Sequence, residues 1–144
     1  MTPVLRRTRE TAPRKGPAVT PRRTILIADD EPAIRQLVRV SLTGTAYHLL
    51  EAADGDAAWE FLQAERPAVA ILDIRMPGRD GLALTRAIRA DPALARTPVI
   101  ILTGLLGADM EAQSRAAGAD YHLTKPFWTR DLLATIEACL QATV

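Results

Sequence analysis

Asp73 closes an apolar run, Ala68 to Leu72, and Pro77, Gly78 and Gly81 follow it closely. A second run, Thr24 to Ala28, ends in Asp29-Asp30-Glu31. A third, Pro98 to Leu102, ends in Thr103, and a shorter mixed stretch, Asp120 to Leu123, leads into Lys125-Pro126. Short apolar runs bounded by turn residues suit strands buried on both faces. Open α/β sheets place ligands beyond the carboxyl ends of their strands. Four strand tips would then bring Asp29, Asp30, Asp73, Thr103 and Lys125 to one edge.

Each residue alone has a plainer role, as helix cap, strand end or solvated turn. Together they suggest chemistry. Three carboxylates in a small space repel and raise one another's pKa. A divalent cation relieves that conflict, and an oxygen-only, partly open set suits Mg²⁺. Lys125 adds a point charge and Thr103 a hydroxyl donor. Metal, ammonium and hydroxyl suit a phosphoryl group developing charge in transfer. No histidine is spaced for a metal site, and the GxxxxGK[ST] phosphate loop is absent.

The elements that must position this set alternate. Pro32 suits the first turn of a helix whose Ile34, Leu37, Val38, Ser41 and Leu42 recur at helical spacing, with Arg35 and Arg39 on the other side. Tyr47 to Ala52 contains His48 and Glu51 and reads as an edge strand. Asp54 caps a helix to about Ala64, with Ala57, Ala58, Phe61 and Leu62 inward. Leu84, Ala87 and Ile88 mark a helix after Gly81. Residues 108–117 have only Met110 and alanines to bury, so thin packing and high mobility are expected. The last helix carries Leu132, Leu133, Ile136, Cys139 and Leu140 on one stripe, which makes Cys139 a core residue. Five β-α repeats predict a parallel sheet with helices on both faces. The three apolar strands should be central and the two mixed ones the edges.

The length fits one domain with a real core. One cysteine excludes a disulfide framework within the chain. No apolar run reaches transmembrane length, so a soluble cytoplasmic protein with no membrane contact is expected. The net charge of +1 hides a split: residues 1–23 sum to +6 and the remainder to −5. The first 23 residues also hold four prolines and no apolar periodicity, which predicts a disordered basic arm ahead of a domain at 24–144. Such an arm could touch nucleic acid weakly, but its composition favours a solvated extension.

Over about residues 24–142 the chain resembles the receiver domain of two-component response regulators. The motifs that carry the resemblance are Asp29-Asp30-Glu31-Pro32, Asp73-Ile74-Arg75-Met76-Pro77 with Asp80-Gly81, Leu102-Thr103-Gly104, and Gly118-Ala119-Asp120-Tyr121 with Lys125-Pro126-Phe127. The resemblance implies a flavodoxin-like, doubly wound α/β fold of five strands in the order 2-1-3-4-5 with five helices. It implies that Asp73 is phosphorylated by a histidine kinase or histidine phosphotransfer protein. Asp29, Asp30, Asp73 and the backbone carbonyl of Arg75 would hold Mg²⁺. Lys125 would contact the phosphoryl group, its bond to Pro126 would be cis, and Thr103 and Tyr121 would form a switch pair.

The last helix ends close to Val144, so a single-domain phosphorelay protein is expected, not an enzyme beyond slow Mg²⁺-dependent loss of its own phosphoryl group. A downstream protein would dock on the face of Met110, Tyr121 and the last helix. Arg75 and Leu105 occupy positions that tune dephosphorylation in the family, and Leu105 cannot orient a water, so a long-lived phosphoryl group is expected. Two other readings compete. A phosphorylation-independent adaptor would not need the acidic set. A metal-dependent phosphohydrolase of the haloacid dehalogenase type would need an Asp two residues after the nucleophile, where this chain has Arg75.

Overall fold

The computed structural model describes residues 23–104 and 108–142. All but Arg23 of the expected arm, and Leu105, lie outside the described residues. The elements are β1 (Thr24–Ala28), α1 (Pro32–Ser41), β2 (His48–Ala52), α2 (Gly55–Glu65), β3 (Val69–Asp73), α3 (Gly81–Ala90), β4 (Val99–Thr103), α4 (Ala108–Ala117), β5 (Tyr121–Thr124) and α5 (Thr129–Ala142).

The strands form one parallel sheet in the order β2-β1-β3-β4-β5. Every residue of β3 and β4 is buried, as is β1 after Thr24, whereas β2 and β5 are mostly half-exposed. The apolar runs thus occupy the centre, as their patterning predicts.

Successive side chains along a strand alternate between two cores. Leu26, Ala28, Ala70, Leu72 and Ile101 face α2, α3 and α4, where Leu62, Ile88 and Ala117 meet them. Ile25, Ile27, Ile71, Ile100 and Leu102 face α1 and α5, against Val38, Ile136 and Cys139. Burial of each large aliphatic side chain contributes about 1.5–3 kcal/mol. Burial, with a smaller effect from Asp120, pushes the Cys139 thiol up to about 12, so it packs as an apolar group.

Caps set two helix starts that matter for the site. Asp54 accepts from Ala57 N at 2.8 Å and opens α2. Asp80 accepts from Ala83 N at 2.7 Å and opens α3 directly after the Asp73 loop. Each cap stabilises its helix by about 1 kcal/mol. Of the described side chains of α4, only Ser114 and Ala117 are buried, in keeping with the thin packing expected there.

Two side chains depart from the expected faces. Arg35 turns back toward the sheet, where its Nη1 donates to the Asp29 carbonyl at 2.7 Å. That strand-end carbonyl offers an acceptor within reach of the long side chain. On α3, Ala87 is only half-buried while Thr85 is fully buried, because its hydroxyl donates to Gly81 O at 2.7 Å and so leaves no unsatisfied group. No described helix is long and apolar enough to cross a membrane.

Candidate functional site

The carboxyl ends of β1, β3, β4 and β5 surround a cavity of about 420 Å³ lined by Asp30, Asp73, Arg75, Thr103 and Lys125 among others. β2 brings no side chain to it. The Ala52 carbonyl at the tip of β2 accepts from Asp29 N at 3.0 Å and steadies the acidic turn from outside.

Asp29, Asp30 and Asp73 each offer one carboxylate oxygen within 4.8 Å of the others. Their settings differ. Asp29 is fully buried and Asp73 nearly so, while Asp30 is exposed. Burial, and then the charge of Asp29, push the Asp73 carboxyl up to about 6, although Lys125 pulls the other way.

Lys125 is the local counter-charge. Its Nζ lies 2.8 Å from Asp29 Oδ2, 2.8 Å from Glu31 Oε1 and 3.2 Å from Asp73 Oδ1. Burial disfavours the charged ammonium, but the close carboxylates of Asp29 and Glu31, with the charge of Asp73, override it and raise the pKa. Lys125 N donates to Thr103 O at 2.8 Å, and the Lys125–Pro126 peptide is cis.

Asp29 Oδ1 accepts from Glu31 N at 2.9 Å. Asp29 Oδ2 is buried with no hydrogen-bond partner among the described residues, and the Lys125 ammonium 2.8 Å away meets it as an opposite charge. A buried, under-satisfied oxygen beside two more carboxylates, one of them open to solvent, fits a hard cation that keeps part of its water shell. Asp29, Asp30 and Asp73 have the donor chemistry to hold Mg²⁺.

The loop after β3 lies along one side of the cavity. Ile74 N donates to Leu102 O at 3.1 Å, and Gly81 N donates to Ile74 O at 3.1 Å. A Cβ on Gly81 would lie 2.4 Å from Asp73 O, so only glycine lets α3 start this close to the acidic tip. Arg75 is exposed on this loop.

The expected pair of Thr103 and Tyr121 is separated by the sheet. In the β4–β5 register Thr103 pairs with Thr124, Ile101 with His122 and Ile100 with Tyr121. Register partners in a parallel sheet point to the same side. Tyr121 therefore shares the α1/α5 side with Ile100 and Leu123, while His122 shares the α3/α4 side with Ile101 and Thr103. His122 Nε2 and Ser114 Oγ are both buried without a hydrogen-bond partner among the described residues, and both residues line a cavity of about 260 Å³ between α4 and β5.

Glu31 was not among the candidate site residues. Its sequence position suggests a helix cap, but its side chain makes no capping bond and reaches Lys125 instead.

Comparison with known proteins agrees with this geometry. A family model described as response regulator receiver domain matches residues 25–137. The phosphate regulon transcriptional regulatory protein PhoB of Pseudomonas aeruginosa is 36% identical over 121 residues, which cover 84% of this chain and 53% of PhoB. The DNA-binding dual master transcriptional regulator RpaA of Synechocystis is 36% identical over 119 residues, 83% of this chain and 49% of RpaA. The chain spans about half the length of the curated relatives it matches. Among solved structures, the chemotaxis response regulator CheY4 of Vibrio cholerae is 33% identical with a TM-score of 0.78, covering 83% of this chain and 99% of CheY4. The receiver domain of a histidine kinase from Syntrophus aciditrophicus is 34% identical with a TM-score of 0.76, covering 83% and 90%.

Proposed function

The chain belongs to the response regulator receiver family, and from that premise we propose that Asp73 accepts a phosphoryl group from a histidine kinase or phosphotransfer protein and thereby switches a docking surface. The observation that carries this reading is the acidic triad with Lys125 at the carboxyl edge of the sheet.

In the transfer, an oxygen of the ionised Asp73 carboxylate bonds to the phosphorus of a phosphohistidine. The phosphorus–nitrogen bond breaks, and the electron pair leaves with the imidazole, which takes up a proton. Mg²⁺, held by Asp29, Asp30, Asp73 and the Arg75 carbonyl, would neutralise phosphoryl charge. Lys125, already 3.2 Å from Asp73, supplies a second positive group to the phosphoryl oxygens. Burial of Asp29 and Asp73 excludes bulk water from the side of the site that faces the sheet. Slow loss of the phosphoryl group to water would reset the protein.

Phosphoryl oxygens would offer the Thr103 hydroxyl a fully charged acceptor. The response is assigned to Thr103 and His122, because these two share a sheet face. The α4–β5–α5 surface, with Met110 and the 40% exposed Tyr121, would meet the downstream protein. This role belongs to the unit beginning at Thr24, in the cytoplasm where such kinases present their phosphohistidine.

Incubation with acetyl phosphate and Mg²⁺, followed by Phos-tag electrophoresis, tests the acceptor. The parent should gain one retarded band, and EDTA or Asp73→Asn should abolish it. A variant that labels as well as the parent would show that the acceptor lies elsewhere. An adaptor independent of phosphorylation would bind its partner equally well as the parent and as Asp73→Asn.

A further inference from the structure

The sheet holds the loop of residues 74–80 at Ile74, and this loop carries the Arg75 carbonyl. Its tip rests on α2, a helix that brings no side chain to the cavity. Gly55, the first residue of α2, donates its N–H to Pro77 O at 3.0 Å. That bond also satisfies one of the N–H groups left open at a helix start. A Cβ on Gly55 would lie 2.0 Å from Arg79 O and 2.6 Å from Arg79 N, which are backbone atoms with no freedom to swing aside. Gly78, at φ +78°, turns the loop back, and a Cβ there would come within 3.1 Å of the Asp56 carboxylate. One turn further along α2, the Trp59 ring lies beneath the Arg79 guanidinium at 5.0 Å from its centroid.

Pro77, Gly78 and Arg79 are thus each fixed against the first two turns of α2, two to four residues after Arg75. We propose that Gly55 and Trp59 are positioning residues for the cation site, holding the loop at the height where the Arg75 carbonyl completes the set formed by Asp29, Asp30 and Asp73. This rests on the Mg²⁺ reading above. A side chain at position 55 lifts the loop, whereas loss of the aromatic face at 59 frees Arg79 and lets the loop fluctuate. Neither residue touches the cation. The edge of the fold that contributes no chemistry thereby governs metal affinity from behind.

Mg²⁺ titration calorimetry on the full chain tests this, with thermal melting in EDTA as the measure of structure alone. Gly55→Ala should weaken Mg²⁺ binding by about ten-fold, as loss of outer-shell support does elsewhere. Trp59→Leu keeps an apolar side chain and should weaken it by a few-fold, with little change in the EDTA melting temperature. If Gly55→Ala does not fold, Trp59→Leu and Arg79→Gln decide. Folded variants that bind Mg²⁺ with the parent's affinity overturn the positioning role alone. A parent that binds no Mg²⁺ overturns the cation reading together with it.

Discussion

The Lys125 ammonium stands nearer to Asp29, at 2.8 Å, than to Asp73, at 3.2 Å. Its charge is shared among three carboxylates, with Glu31 the third. Removing it should leave a buried negative cluster without its counter-charge. Lys125→Met is therefore expected to destabilise the metal-free protein at pH 7 by about 3 kcal/mol. Mg²⁺ should restore much of the loss, because the cation supplies the missing positive charge. Urea unfolding with EDTA and with Mg²⁺ reads both numbers. An equal deficit in the two conditions would show that the loss does not come from the missing counter-charge.

The raised Asp73 pKa has a direction in stability. In the folded, metal-free chain burial and then Asp29 hold the carboxyl at about 6, against about 3.9 for an unperturbed Asp. Between these values the folded state binds more protons than the unfolded state, so stability falls as pH rises from about 4 to about 6. The deficit is complete above that window. Asp73→Asn removes the buried charge and should stabilise the metal-free protein at pH 7 by on the order of 2 kcal/mol. Below about pH 4 the gain should vanish, since the parent is then neutral in both states. Denaturation of both proteins in EDTA at the two pH values gives the comparison. The same gain at both would mean that the substitution acts through shape.

Much of the fold and site was legible because burial leaves a strong signal. Ile25–Ala28, Val69–Leu72 and Val99–Leu102 are unbroken apolar stretches, and two-sided burial permits little else. Asp73 and Lys125 follow from being the polar residues that end such runs or their neighbours. Glu31 was hidden because its partner Lys125 lies 94 residues away, and a carboxylate before Pro32 looks like a cap. Gly55 was hidden because close approach by Arg79 is a property of another loop's path. The facing of Tyr121 was hidden for a different reason. Side chains alternate along a strand, so an error of one residue moves a side chain to the opposite face. β5 is a short, half-exposed edge strand, and neither Tyr121 nor His122 is so apolar or so polar as to declare its side.

That facing carries the last prediction. A switch driven from Asp73 needs a residue whose surroundings differ between two states. His122 shares the Thr103 face, and its Nε2 is buried without a hydrogen-bond partner among the described residues, as is the Oγ of Ser114, which lines the same cavity. Such unpaired polar groups are costly, at about 1–3 kcal/mol each, so rearrangements that pair or expose them meet little resistance. Tyr121 belongs by register to the other face; it also lines that cavity, but at 40% exposure it already reaches solvent. With Mg²⁺ and beryllofluoride bound at Asp73, the imidazole resonances of His122 and the amides of α4 should shift together. His122→Ala should leave beryllofluoride binding intact, read by fluorine NMR, yet abolish the response in α4. Tyr121→Ala should preserve that response. The reverse pattern, with Tyr121→Ala silencing α4 and His122→Ala sparing it, would refute the assignment of His122 while leaving Asp73 as the acceptor.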